Sequence, residues 1–314
     1  MERIRKIFYN RLILLLVFVL LSSQLMGFSK VNESQYSTNV EEIKCEEYTA
    51  SMQINTNKFY YNQLNDVEKE IYNTFYVSKE LFIGNTSFIC ISGKIEKYNE
   101  YINFIRRAFY AYLFDNPNGQ IYLEIACVQA VKSEKYGQEY YDYVIKPKSD
   151  TNSYTRSNSS SDEIIAKLET LETTTREFVN NLSGNDYEKL TQIHNWLVEN
   201  ASYDKTYSLP NTHNAYGAII QKQCVCDGYA YAFKYVADMA GLDVIFVTGY
   251  VISSEEISEF HAWNYAYVDE KWLLIDVTWD LGLNSDIYLL ITPEDEEALK
   301  SLHKCENKRF VYPY

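Results

Sequence analysis

One stretch, Tyr216 to Asp280, decides the reading, through three short runs inside it: Cys226-Asp227-Gly228-Tyr229-Ala230, His261-Ala262-Trp263-Asn264 and Asp276-Val277-Thr278-Trp279-Asp280. After Cys226 the apolar positions Ala230, Phe233, Val236, Ala237 and Ala240 recur at helical spacing until Gly241 stops the run. Cys226 therefore falls at the first turn of a helix. There the unpaired backbone N–H groups and the positive end of the macrodipole favour a thiolate. The dipole is worth only about 1 kcal/mol, less than one pKa unit, so an activated thiol also needs a base.

His261 can supply that base. Ala262 to Val268 alternates small or polar residues with aromatic or apolar ones, as a strand does; Asp269-Glu270-Lys271 makes a short turn, and Trp272 to Val277 reads as the returning strand. With the turn centred near Glu270, His261 and Asp276 fall almost opposite one another, where side chains on one face come within about 5 Å. A carboxylate beside an imidazole fixes its tautomer and stabilises its positive charge, as a Cys–His nucleophile requires. Trp263, Trp272 and Trp279 read as walls and packing, and Asn264 as a residue that orients the strand or the imidazole. His194 reads as a core or surface histidine, His213 as a candidate to line the cleft, and His303 has no partner pattern.

The order Cys, His, Asp in these surroundings resembles the transglutaminase-like family, within the papain-like thiol enzymes. The similarity is to its secreted bacterial branch and rests on Tyr216-Gly217-Ala218, Val225 to Ala230, Gly249, His261 to Asn264, Trp272 and Asp276 to Asp280, with weaker support from Ile193 to Leu197, Asn200 to Asp204 and Asp115-Asn116-Pro117. The resemblance implies an α+β fold with the nucleophile helix packed on a mostly antiparallel sheet. It assigns Cys226 as nucleophile, His261 as base and Asp276 as orienter. It also implies a protein or cell-wall peptide substrate, with Tyr216, Trp263, Asn264 and Trp279 as candidate substrate-binding residues. One oxyanion donor is expected from the Cys226 N–H, with Tyr216 and Trp196 as candidates for the second.

The rest of the chain bounds this reading. With 314 residues, 46% hydrophobic and 23% charged, it can bury a substantial core. Residues 1–29 have the charged start, Arg3, Arg5, Lys6 and Arg11 against Glu2, and the short apolar run, Leu12 to Leu21, of a secretory signal; an uncleaved anchor is the alternative. The expected location is therefore secreted or at the cell surface. A net charge of −14 argues against a nucleic-acid partner. Six cysteines at irregular spacing, one reserved as nucleophile, suggest few or no disulfides. Cys224, Cys226, His213 and His261 lack the paired spacing of a zinc site, and no cofactor or metal is expected.

In order along the chain, residues 30–57 read as a spacer and 58–146 as a helix and strand region packed on the catalytic part. Within that region helices are expected over 67–81 and 95–114 and strands over 88–93, 120–131 and 138–146. Residues 147–161 form a polar loop, and 162–314 hold the catalytic region, starting with helices over 162–182 and 186–200. The second of these is opened by the capping-box pair Asn185 and Glu188. A last strand over 287–291 and an acidic helix over 293–303 close it. The competing reading is a non-catalytic binding or scaffolding module at the cell surface that keeps the fold; an intact Cys, His and Asp set argues for an enzyme.

Overall fold

The computed structural model describes residues 58–94, 97–123, 125–135, 138–147, 159–206, 209–253, 258–299, 301–306 and 308–313. The expected leader and spacer, and most of the polar loop before residue 161, lie outside the described residues. Helices α1 (Asp66–Val77) and α2 (Lys79–Ile83) lead into strand β1 (Phe88–Gly93), helix α3 (Tyr98–Asp115) and the hairpin β2 (Ile125–Lys135) and β3 (Gln138–Pro147). These strands form a three-stranded antiparallel sheet in the order β1-β3-β2. Helices α4 (Ser161–Val179) and α5 (Asp186–Asn200) follow, then β4 (Ser202–Tyr203), α6 (Ala215–Ile219), β5 (Gln223–Cys224) and α7 (Cys226–Met239). The chain closes with β6 (Val244–Ser253), β7 (Ser258–Val268), β8 (Lys271–Ile275), α8 (Val277–Leu283), β9 (Leu289–Ile291), α9 (Pro293–Ala298) and β10 (Ser301–Cys305). The second sheet is antiparallel throughout, in the order β10-β6-β7-β8-β9.

Local chemistry sets the helix starts. Asn65, Ser160, Asn185 and Thr292 each accept from the backbone N–H three residues on, and the acid at that position accepts from the cap's own N–H. Two expectations shift at element ends. Gln120 and Ile121 belong to a 3-10 turn over Pro117–Ile121, because Pro117 starts a helical turn there and the strand begins only at Ile125. The hairpin between β7 and β8 turns on two residues, Asp269 and Glu270, both left-handed at φ 48° and 65°, so Lys271 already pairs with Val268.

The larger correction is at the end of the chain. The acidic helix expected over 293–303 stops at Ala298, and Ser301–Cys305 instead forms an edge strand on β6. Gly249 in β6 makes that pairing possible. A Cβ at 249 would lie 2.1 Å from the Lys304 carbonyl oxygen and 2.7 Å from the Trp263 indole, so only glycine fits between them.

The amino-terminal region and the second sheet share one buried core through aromatic rings. Tyr60 packs edge-on to Phe114 at 5.1 Å and Phe310 at 4.8 Å, and its hydroxyl donates to the Phe246 carbonyl. Phe246 stacks on Tyr231 of α7 at 4.0 Å and meets Phe114 of α3 at 4.9 Å. Asp115, at the end of α3, accepts the Tyr60 and Tyr61 backbone N–H groups at 3.1 and 2.8 Å. Its carboxyl is pushed up to about 6 by burial, which outweighs nearby Lys234. Among the described residues no helix is long and apolar enough to cross a membrane.

Candidate active site

Cys226 is the first residue of α7, half-buried, and Val225 before it has no side chain to cap the helix start. The loop preceding the helix holds that start from the side. Asp227 accepts from His213 Nδ1, 2.9 Å from each carboxylate oxygen, and Asp204 gathers Thr206 N, Thr206 Oγ1 and Thr212 Oγ1 at 2.9, 2.6 and 3.2 Å. His213 thus braces the helix start and is buried. Burial would lower its pKa, but Asp227 outweighs that and raises it. Gly228 completes the fit, since a Cβ there would sit 2.5 Å from the Thr212 carbonyl oxygen and 2.6 Å from Cys224 Cβ. Cys224 itself is sealed, and burial pushes its thiol well up.

His261 lies in β7, opposite Gly249 of β6, and is 4% exposed. Its Nε2–H donates to Asp276 Oδ2 at 2.7 Å, and its ring hydrogen-bonds the Cys226 side chain, for which Nδ1 is the nitrogen left. Burial alone would lower this imidazole; the Asp276 charge and hydrogen bond, with Cys226, raise it to about 10. Asp276 moves the opposite way. Burial would raise its carboxyl, but the charge and hydrogen bonds of His261 and His303 hold it far below the usual range.

Asp276 reaches His261 by a different route from the one expected. The β7–β8 ladder ends at the pair Asn264 and Ile275, so Asp276 is not a strand partner of His261. It is the N-cap of α8, with Oδ1 accepting from Trp279 N at 3.0 Å. One carboxylate therefore caps a helix with one oxygen and holds an imidazole with the other.

Two residues that sequence reasoning passed over complete the cluster. His303 Nε2 lies 3.0 Å from the same Asp276 oxygen, and His303 Nδ1 lies 2.6 Å from Glu296 Oε1, which also accepts the His303 backbone N–H. Both are buried. Burial would lower His303, but its hydrogen bonds to Asp276 and Glu296 raise it to about 8. The ligand atoms of His261, Asp276 and His303 lie within 4.8 Å of one another, close enough for one cation. Each is already used in a hydrogen bond of the set, and the donor set reads as a proton-carrying chain.

The expected substrate-binding residues fare differently. Trp263 is 1% exposed, lying near-parallel to His261 at 6.2 Å between ring centres, so it backs the imidazole and cannot touch a substrate. Asn264 is equally buried, and its Nδ2 donates to the Ala230 and Ile245 carbonyls at 3.0 and 3.2 Å, tying α7 to β6 without reaching the imidazole. Both corrections have one cause: β7 is a central strand covered on both faces, with Trp263 on the face of His261 and Asn264 on the opposite face against α7. Trp279 is half-buried, 6.1 Å from His261, and stays at the site. Tyr216 is half-buried, with the Lys167 ammonium 5.9 Å from its ring. Trp196 stacks on Phe178 at 4.1 Å with Lys222 over its ring at 5.4 Å, so its indole is committed to α4 and not to an oxyanion. His194 Nε2–H donates to Asp280 Oδ2 at 3.0 Å in the core.

Residues 172–277 match the sequence model of the transglutaminase-like superfamily. This part of the chain is a transglutaminase-like core. It runs from the second half of α4 to the first residue of α8 and contains Cys226, His261 and Asp276, but not Glu296 or His303. Its helix α7 packed on an antiparallel sheet is the α+β architecture of that fold. Kyphoscoliosis peptidase of Mus musculus and that of Homo sapiens are each 32% identical to it over 108 residues, covering 31% of this chain and 16% of the relative. The chain thus spans under a fifth of the length of these relatives. Among solved structures, a TGase shares 17% identity over 49% of this chain and 44% of its own, at a TM-score of 0.33. A proposed cysteine protease from Cytophaga hutchinsonii shares 16% over 57% of this chain and 72% of its own, at 0.31.

Proposed function

We propose that this chain is a thiol acyltransferase or hydrolase acting on amide bonds of proteins or cell-wall peptides. The Cys226 thiolate attacks an amide carbonyl carbon, and His261 gives its proton to the departing amine as the C–N bond breaks, leaving a thioester. His261 then takes a proton from the acceptor, which displaces the thiolate and restores the starting state. The observation that carries this is a single imidazole shared between the Cys226 thiol and the Asp276 carboxylate at 2.7 Å. The uncapped start of α7 supports Cys226 N–H as one oxyanion donor. Trp279, half-buried beside the imidazole, is the residue best placed to meet a substrate.

The acceptor decides the outcome: an amine gives cross-linking, water gives deamidation or chain cleavage. The name of the kyphoscoliosis peptidases favours water. Mass analysis of a glutamine-containing peptide library, incubated with the protein and with Cys226→Ala, with and without an amine donor, separates these by their mass changes. No change dependent on Cys226 in any arm sinks the reading and leaves a binding module.

A further inference from the structure

The transglutaminase-like match ends before the part of the cluster that is least accounted for. Glu296 sits on α9 and His303 on β10, and nothing in the proposed acyl transfer uses them. Yet they continue the line of hydrogen bonds from Cys226 through His261 and Asp276 to His303 at 3.0 Å and Glu296 at 2.6 Å. We propose that His303, anchored by Glu296, is a positioning residue that fixes the Asp276 carboxylate toward His261 and so maintains the Cys226–His261 pair. This rests on the acyl-transfer reading of the same site.

The geometry makes the dependence specific. Asp276 is 1% exposed, so solvent cannot replace a lost donor. Its Oδ1 is held by the Trp279 N–H and its Oδ2 is shared by two imidazoles, so His303 supplies the contact that stops the carboxylate from turning about its bond to Trp279. Glu296 accepts from both the His303 backbone N–H and Nδ1–H, so Nε2 can also donate to the Asp276 carboxylate only when His303 is the imidazolium, with a proton on each ring nitrogen. The rings around His303 hold it in place: Trp263 at 4.9 Å, Trp279 at 5.2 Å and Tyr288 at 5.8 Å. The ionisable groups facing it are Asp276, Glu296 and His261, with Cys226 beyond. Asp280 is paired with His194, and Tyr265 pairs with Cys305 at 3.6 Å.

The test needs no substrate. Iodoacetamide labelling of Cys226 in the full chain, read peptide by peptide from pH 5 to 9, reports the thiolate held by His261. Wild type should keep its rate down to pH 6. His303→Leu should fall about tenfold there, the loss of one charge-assisted hydrogen bond, and converge on wild type near pH 9, where the thiol ionises unaided. His303→Gln retains an N–H donor and should stay within about threefold of wild type, as should Glu296→Gln, which leaves Nε2–H on Asp276. A His303→Leu profile that overlays wild type overturns the positioning role while the acyl-transfer reading stands, and so does a His303→Gln profile as poor as His303→Leu. Wild-type Cys226 that labels no faster than Cys90 brings down the reading and this inference together. If His303→Leu does not fold, ring nitrogen NMR of the wild-type protein at pH 6 decides: an unprotonated His303 Nε2 is the overturning result.

Discussion

Asp276 carries two duties that chemistry can separate. Asn is as good a helix cap as Asp, so Asp276→Asn should keep Trp279 N–H satisfied and α8 in place while removing the charge that stabilises His261. Its expected result is an unchanged helix content, a melting temperature lowered at pH 6 because the charge-assisted bonds to the buried His261 and His303 are weakened, and turnover lowered on the order of 10²- to 10⁴-fold. Circular dichroism and turnover on the responding peptide check the two halves. The imidazoles give a pH dependence of stability. Burial pushes His303 down, but its bonds to Asp276 and Glu296 bring it to about 8; burial likewise opposes His261, which Asp276 brings to about 10. A histidine raised in the folded state stabilises fully below its unfolded value of about 6.5 and stops doing so as pH passes the folded one. Stability should therefore decline from pH 6.5 upward, His303 accounting for on the order of 2 kcal/mol by pH 8 to 9. Urea titrations at pH 6 and 9 measure it, and His303→Gln should flatten that segment. At this scale the three residues that meet were visible in the sequence because each sits in its own motif. His303 was not, because the acids at 294–297 extend a helical pattern over it, and only pairing with β6 shows that it lies on a strand.

Elements explain why Trp263 and Asn264 were misread. A motif marks which residues a strand carries but not what covers its two faces, and here Trp263 on the His261 face and Asn264 on the opposite face are both buried. The two-residue turn at Asp269 and Glu270 set the register one step from a three-residue turn, and the return strand gave way to α8 at Asp276. Helix starts were far more legible, since a capping box is local: Asn185 with Glu188 is complete within four residues. Asn264 is accordingly a structural tie, and Asn264→Ala should cost about 2 kcal/mol by removing the amide's bonds to the Ala230 and Ile245 carbonyls and leaving a buried gap between α7 and β6, without altering the pH profile of Cys226 labelling. Gly249→Ala should be worse, because the added carbon meets backbone on one side and the indole on the other; loss of β10 pairing is read by hydrogen exchange at residues 301–305.

Over the whole molecule, the 30 tyrosines found a use that composition could not disclose. Several of them fill the seam between α3, α7 and the second sheet, where a ring covers apolar area and a hydroxyl finds a carbonyl. Phe246→Ala should cost about 3 to 5 kcal/mol and lower the single melting transition of the chain as one event, a calorimetric result. That seam also sets the limits of any engineered fragment. Phe246 belongs to the stretch that matches known relatives, whereas Tyr60, Phe114 and Phe310 come from outside it, so a gene trimmed to codons 172–277 would encode a protein with this greasy wall stripped bare. Such a product belongs in inclusion bodies; grafts and chimaeras should be cut before Lys58 and after Tyr312.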